Sequence, residues 1–126
     1  MHNAQWRKNK MAENVIEEKS KNFSIRIIRL YKFLCKKKEY VLSKQLLRCG
    51  TSIGANVKEA IRGQSKADFI AKMNIALKET SETEYWLELL LEAQYLNQKQ
   101  FESVYADCKE LLRILTSILK TATASP

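Results

Sequence analysis

Apolar side chains return every three or four residues along four stretches of this 126-residue chain. That spacing matches the turn of an α-helix, about 3.6 residues, and places the apolar side chains on one face. The four stripes are Phe23, Ile27, Leu30 and Leu34; Leu42, Leu46, Cys49, Ile53, Asn56 and Ala60; Phe69, Met73, Ala76, Thr80, Thr83, Leu87 and Leu90; and Phe101, Val104, Cys108, Leu111, Leu115 and Ile118. The pattern therefore predicts four amphipathic helices.

Capping residues set approximate limits to these helices. Ser65 and Asn97 are good N-caps, each followed three residues later by an acid or an amide. The first helix begins either at Asn14, with Glu17 three residues later, or at Ser20. Gly63 is suited to a left-handed C-cap of the second helix. The predicted helices are about 14–37, 40–62, 66–95 and 98–121, between a flexible segment 1–13 and a frayed end 123–126.

The fold class follows from the short connections between these helices, which imply antiparallel neighbours. We expect one all-α domain over residues 14–122, an antiparallel up-down-up-down four-helix bundle. Further apolar residues lie outside the stripes, and they indicate either a second apolar face for self-association or ordinary half-exposed side chains. They are Ile70, Leu77, Tyr85, Trp86 and Leu91 on the third helix and Leu112 and Leu119 on the fourth.

Positive charge is concentrated in the first part of the chain. The net charge is +8, and residues 1–38 hold eleven Lys and Arg against three Glu, so 11 − 3 accounts for the whole excess. Such a block attracts phosphate backbones or an acidic partner, although it also helps to keep a long amphipathic helix soluble. The candidate contacts on the first helix are Arg26, Arg29, Lys32, Lys36, Lys37 and Lys38.

Groups able to carry catalysis are sparse in the sequence. The one histidine, His2, precedes the predicted helices, so the bundle lacks a histidine base and the Glu-x-x-His motif of a di-iron site. Cys35, Cys49 and Cys108 are widely spaced, which favours buried thiols in a reducing cytoplasm. No apolar run reaches the roughly 20 residues of a membrane span. We expect a cytoplasmic protein that is not an enzyme, with no catalytic residue, cofactor, metal, membrane or small-molecule substrate.

The second predicted helix contains the stretch RCGTSIGANVKEA, residues 48–60. Gly50 and Gly54 each cost about 1 kcal/mol relative to alanine in a helix interior, and GTSIG lacks the lysine of a phosphate-binding loop. We therefore expect these small residues to allow another helix to approach closely. Asn56 falls in the apolar stripe, where it forms either a buried network that fixes helix register or part of a ligand site. The polar residues on this surface are Arg48, Ser52, Asn56 and Glu59.

A set of residues between positions 45 and 90 carries a family resemblance. These residues are Gln45, Arg48, Ser52, Ile53, Ala55, Asn56, Glu59, Ser65, Asp68, Phe69, Ile75, Ala76, Glu79, Glu84, Trp86 and Leu87. With this signature, the chain resembles the bacterial four-helix-bundle family of 23S rRNA intervening-sequence proteins. The resemblance implies a short antiparallel bundle that assembles into a ring, typically a homopentamer, with Glu79 and Glu84 belonging to the structural polar motif. Gly54 stands where many members have proline, which implies a kink or loosened turn there.

The family is also similar to the accessory proteins of diversity-generating retroelements, which are basic pentameric barrels that bind a reverse transcriptase and nucleic acid. That similarity favours a homo-oligomer whose basic first helix binds RNA, DNA or a nucleic-acid enzyme. The alternative is a structural interaction module, in which the first helix pairs with the acidic third helix of a neighbouring subunit. Glu82, Glu88 and Glu92 would then be the facing carboxylates.

Overall fold

A computed structural model describes residues 10–124, which form four α-helices and no strand. The helices are α1 (Lys10–Lys36), α2 (Leu42–Arg62), α3 (Lys66–Glu92) and α4 (Gln98–Ala124). α2 packs between α1 and α3, and α4 packs against α3 and, less extensively, against α1. The expected all-α four-helix bundle is confirmed.

The bundle core consists largely of the predicted stripes. All seven stripe positions of α3 are buried. In α2, however, Asn56 is only half-buried, and Val57 takes the core position between Ile53 and Ala60. Positions 56 and 57 both lie three or four residues from Ile53 and from Ala60, so the spacing allows either one in the core. Val57 is the apolar residue of the two, and it is the one that is buried. Asn56 is therefore not the buried amide that the periodicity predicted.

α1 begins at Lys10, earlier than predicted, and its buried face reaches Glu13. Glu13 and Ile16 are buried, and Ile16 precedes Phe23 by one heptad. Residues 10–13, which were predicted to precede the helix, are thus helical, while residues 1–9 of that segment lie outside the described residues. Asn14 lies inside α1 and does not cap it. α4 likewise continues through Ala124, beyond the predicted limit of residue 121, and 125–126 lie outside the described part.

The C-terminal end of α1 is closed by a Schellman motif. Lys38 has a φ of 63°, and its N–H donates to the carbonyl of Cys35 over 2.9 Å. The N–H of Glu39 donates to the carbonyl of Leu34 over 3.0 Å. These two bonds satisfy carbonyls that the helix leaves without a partner, and a lysine occupies the left-handed position that glycine usually takes.

The same motif ends α3 at Glu92, earlier than the predicted limit of residue 95. Gln94 has a φ of 68°, and its N–H donates to the carbonyl of Leu91 over 3.0 Å. The N–H of Tyr95 donates to the carbonyl of Leu90 over 2.9 Å. In an up-down-up-down bundle, the ends of α1 and α3 lie at the same end of the molecule.

The N-terminus of α2 is capped by a buried carboxylate that the sequence pattern did not reveal. Glu39 Oε2 accepts from the N–H groups of Val41 and Leu42, each over 3.1 Å. Glu39 Oε1 accepts from the N–H of Ser43 over 2.7 Å. Three otherwise unpaired backbone donors are satisfied in this way. α2 therefore begins at Leu42, and Tyr40, the predicted start, lies in the connection.

Two predicted N-caps are confirmed. Ser65 Oγ accepts from the N–H of Asp68 over 3.1 Å at the start of α3. At the start of α4, Asn97 Oδ1 accepts from the N–H of Gln100 over 2.8 Å, and Gln100 Oε1 accepts from the N–H of Asn97 over 2.9 Å. This reciprocal pair is a complete capping box.

Gly63 follows α2, but the predicted left-handed cap is wrong. Its φ is −65° and its ψ is 147°, which is an extended conformation that any residue adopts. An added Cβ at this position would clash with the carboxylate of Asp68. Gly63 therefore suits a close approach, in which an added Cβ would lie 3.1 Å from the carbonyl oxygen of Ala60, and it is not needed for a positive φ.

Gly50 and Gly54 lie where α1 packs closely against α2, as predicted. A Cβ on Gly50 would lie 2.9 Å from both Cγ1 and Cγ2 of Ile27. A Cβ on Gly54 would lie 3.3 Å from the carbonyl oxygen of Ser20 and from Ser24 Oγ. α2 continues as an α-helix through both glycines, so the predicted loosened turn at Gly54 is wrong. The glycines serve the helix–helix contact.

Candidate nucleic-acid interface

Three of the six predicted basic contacts share one solvent-facing side of α1. Arg29, Lys32 and Lys36 are all exposed, and their spacing of three and four residues places them on one helix face. We refer to these three residues as the basic face. No ion pair joins any of them to a carboxylate within residues 10–124.

Arg26 differs from the basic face because its guanidinium already has partners on α4. Its Nη1 lies 2.7 Å from Asp107 Oδ2 and donates to the carbonyl of Ser103 over 3.2 Å. Its Nη2 donates to the hydroxyl of Ser103. The structure therefore places this predicted contact in the junction between α1 and α4.

Lys37 and Lys38 lie at the C-terminal end of α1, and both are exposed. Lys37 Nζ approaches the carbonyl of Tyr95 at 3.5 Å and lies 4.9 Å from the centre of the Phe33 ring. Lys38 holds the left-handed position of the Schellman motif. Together they extend the positive charge of the basic face to the end of the bundle.

The groove between α1 and α4 carries charges of both signs. Its volume is about 380 Å³, and it is bordered by Lys19, Arg26 and Arg29 on α1 and by Asp107 and Glu110 on α4. Lys19 Nζ pairs with Glu110 Oε1 over 3.2 Å. An anion inside this groove would meet two carboxylates, so the outer surface of α1 is the more favourable electropositive surface.

Exposed apolar side chains accompany the basic residues. Ile25 and Ile28 lie on α1 with 41% and 39% of their surface exposed. Tyr40 and Val41, in the connection after the three lysines, are 53% and 72% exposed. The apolar stripes did not reveal Tyr40 as an exposed residue, because their spacing placed it at the start of the predicted second helix.

The predicted polar motif on α2 is an electrostatic link to α3. Arg48 Nη1 lies 3.1 Å from Glu79 Oε2, and Arg48 Nη2 binds the carboxylate of Glu82. Trp86 Nε1 donates to Glu82 Oε2 over 2.9 Å. Hydrogen bonds from Trp86 and Arg48 lower the pKa of Glu82, and the bond to Glu82 raises the pKa of Arg48. One arginine thus joins two carboxylates one helical turn apart.

The other α2 members of the motif do not form a buried network, because Ser52 and Asn56 are half-buried and Glu59 is exposed. Ser52 Oγ donates to the carbonyl of Arg48 over 2.6 Å, and Asn56 Nδ2 donates to the carbonyl of Ser52 over 2.8 Å. Glu59 Oε1 pairs with Lys72 Nζ on α3 over 3.1 Å. The polar groups of Ser52 and Asn56 are thus directed to their own helix, while Glu59 forms a second link to α3.

The motif residue Glu84 belongs to the contact between α3 and α4. Its Oε2 lies 2.9 Å from Lys109 Nζ, and its side chain is only 12% exposed. Nearby, Tyr105 on α4 donates to Glu88 Oε2 over 2.6 Å. These bonds raise the pKa of Lys109 and the pKa of Tyr105. Sequence spacing alone could not identify these partners, because they come from different helices.

Two of the three thiols are buried and held in the protonated form. Desolvation raises the pKa of Cys49 to about 11, and burial also raises the pKa of Cys108. Cys35 is half-buried rather than buried as expected. No cluster of three His, Cys, Asp or Glu side chains suited to a metal ion occurs in the described range 10–124.

None of the four described helices is long and apolar enough to cross a membrane.

Comparison with known proteins places this bundle in a family. Residues 12–117 match the 23S rRNA-intervening sequence protein family. A crystal structure of a protein of unknown function from the S23 ribosomal protein family of Bacteroides thetaiotaomicron is similar, with a TM-score of 0.85 and 55% sequence identity. The similarity covers 86% of this chain and 98% of that one. No curated protein matches the chain. The chain belongs to the 23S rRNA-intervening sequence protein family.

Proposed function

We propose that this protein binds nucleic acid through the basic face of α1. The observation that supports the proposal is the exposure of Arg29, Lys32 and Lys36 without a carboxylate partner among residues 10–124. Cations in this state can exchange their counterions for phosphates, and the released counterions supply the free energy of binding. Such contacts fix the position of the nucleic acid without reading its sequence.

The helix dipole of α1 explains the positions of only some of these cations. Lysines near a helix C-terminus interact favourably with the carbonyl ends, by about 0.3–1 kcal/mol each. Lys36 and the two lysines after it lie in that region, where the helix ends. Arg29 and Lys32 lie before the last turn, where the effect has faded. A nucleic-acid partner accounts for these two residues as well.

The alternative, a structural module in which α1 pairs with α3 of a neighbouring subunit, has fewer carboxylates available than expected. Glu82 is engaged by Arg48 and Trp86, and Glu88 accepts from Tyr105. Glu92 is the exposed carboxylate of the three. These internal bonds make nucleic acid the better-supported partner of the basic face.

We also propose that the protein is a cytoplasmic homo-oligomer, with a pentamer as the expected form, and that it is not an enzyme. Of the seven apolar residues expected to form a second face, Tyr85 is exposed, Leu119 is buried, and the others are half-buried. Exposed Ile25 and Ile28 on α1 are further apolar surface for such contacts. A nucleic-acid enzyme bound through the basic face remains part of this proposal.

Charge reversal on the basic face is the direct test. We expect the triple variant Arg29→Glu, Lys32→Glu and Lys36→Glu to lose most of its affinity for RNA and DNA at low salt. The matched control carries Lys78→Glu, Arg113→Glu and Lys120→Glu on exposed positions of α3 and α4. Both variants have the same net charge, so retained binding by the control locates the contact. Equal affinity of the two variants, or no binding by the wild-type protein, would contradict the proposal.

A further inference from the structure

A tyrosine stands at the end of the basic face, in the connection between α1 and α2. Tyr40 is 53% exposed and follows Lys36, Lys37 and Lys38 by only a few residues. Val41 beside it is 72% exposed. An aromatic ring and a valine left in water next to three cations form a small surface that is both apolar and positive.

The connection that carries this ring is fixed on both sides by hydrogen bonds. Before Tyr40, the Schellman motif holds Lys38 and Glu39 against the last turn of α1. After it, the buried carboxylate of Glu39 holds the N–H groups of Val41, Leu42 and Ser43. Ser43 Oγ also donates to the carbonyl of Glu39 over 2.8 Å. The backbone of Tyr40 therefore needs little further ordering when a ligand binds.

Resting on the function proposed above, we infer that the bound nucleic acid is single-stranded and that an unpaired base stacks on the ring of Tyr40. Single-strand-binding proteins combine a basic track for the backbone with aromatic side chains for the bases. Arg29, Lys32 and Lys36 form such a track along α1, and it leads to the end of the bundle that carries Tyr40. The basic side chains bind the phosphates, and the ring of Tyr40 stacks on a base.

The ring distinguishes single strands from duplexes for a geometric reason. Phosphates are accessible in both forms, so the basic face alone binds either. The faces of bases inside a duplex are covered by stacking, whereas a single strand can present them to an aromatic side chain. The contribution of Tyr40 is therefore confined to strands that carry unpaired bases.

Four probes of equal length separate these contributions. They are a single-stranded RNA, a single-stranded DNA, a DNA duplex and an abasic single strand that keeps its phosphates. For Tyr40→Ala, we expect about a tenfold loss of affinity for the single strands and no change for the duplex and the abasic strand. Tyr40→Phe keeps the ring and should retain the affinity. Met11→Ala, which removes an exposed apolar side chain near the start of α1, far from Tyr40 along the helix, is the control and should also retain it.

The possible failures are distinguishable. Wild-type protein that binds none of the probes overturns both the proposed function and the stacking by Tyr40. Binding that is lost on reversal of the basic face but is unchanged in Tyr40→Ala overturns the stacking alone. An equal loss on the abasic strand, or a change in the mass of the assembly measured by sedimentation, would instead show that Tyr40 serves the fold or a contact between copies. Circular dichroism of each variant reports whether its helices are retained.

Discussion

At the scale of single residues, Gly50 shows how an absent methyl group sets the distance between two helices. Ile27 is fully buried and branched at Cβ, and its two Cγ atoms occupy the space that a side chain at Gly50 would need. Branching leaves such a side chain few alternative rotamers in a helix. The contact therefore outweighs the unfavourable helix propensity of glycine, about 1 kcal/mol relative to alanine.

Gly50→Ala should destabilise the protein, although alanine is the better helix former. Overpacking a filled core costs about 1–3 kcal/mol, and we expect a fall in the free energy of unfolding within that range in a urea titration. The control is the same change in an Ile27→Ala background, where the added methyl group has room and should raise the stability. A stabilising effect of Gly50→Ala in the wild-type protein would contradict the close contact.

Glu39 illustrates a role that residue spacing did not predict. Its carboxylate is buried and accepts three backbone N–H bonds at the start of α2. Glutamate three to four residues before a helix is a common surface residue, so only the folded connection reveals the cap.

Removing this cap should lower stability measurably. We expect Glu39→Ala to reduce the free energy of unfolding by about 1–3 kcal/mol, because backbone donors at the start of α2 lose a charged acceptor. Glu39→Gln, which keeps one acceptor oxygen, should lose less. Chemical denaturation measures both, with the exposed Glu18→Ala as control. Equal stability of Glu39→Ala and the control would show that the cap contributes nothing.

At the scale of helices, the apolar pattern predicted which elements form, and the caps determined where they end. The stripe of α3 was correct throughout, because its core residues follow an unbroken alternation of three and four. The predicted end of α3, residue 95, lies three residues beyond Glu92, because Gln94 takes the left-handed position there and the sequence has no glycine signal for it. The partners of Arg48 and Glu84 could not be predicted from the sequence either, because they depend on the relative register of neighbouring helices.

The link between α2 and α3 should make stability depend on pH. Because the pKa of Glu82 lies below its usual value of 4.5 in the folded protein, its contribution is present above that pH and is lost as the pH falls through the folded pKa. In Glu82→Gln, we expect a smaller loss of unfolding free energy between about pH 7 and about pH 3. Denaturant titrations at both values measure it. Glu92→Gln is the control, and an unchanged loss in Glu82→Gln would contradict the link.

At the scale of the whole molecule, some cations form links between helices and others are exposed without a carboxylate partner among residues 10–124. The ion pairs of Arg26, Arg48 and Lys109 join neighbouring helices, while the basic face has no carboxylate partner among residues 10–124. The charge imbalance of the sequence identified the first helix as the basic one, but it did not show which of the cations on that helix already pair with a carboxylate. Only the structure makes that distinction, because it places Asp107 of α4 beside the guanidinium of Arg26.

Salt dependence of binding tests the basic face most directly. The affinity for a single strand is measured over a series of salt concentrations for the wild-type protein and for Arg29→Gln, Lys32→Gln and Lys36→Gln combined. If the three side chains each contact a phosphate, the slope of log affinity against log salt should become shallower by about 2. The control with Lys78→Gln, Arg113→Gln and Lys120→Gln should keep the wild-type slope. Equal slopes for the wild-type protein and the basic-face variant would contradict phosphate binding by α1.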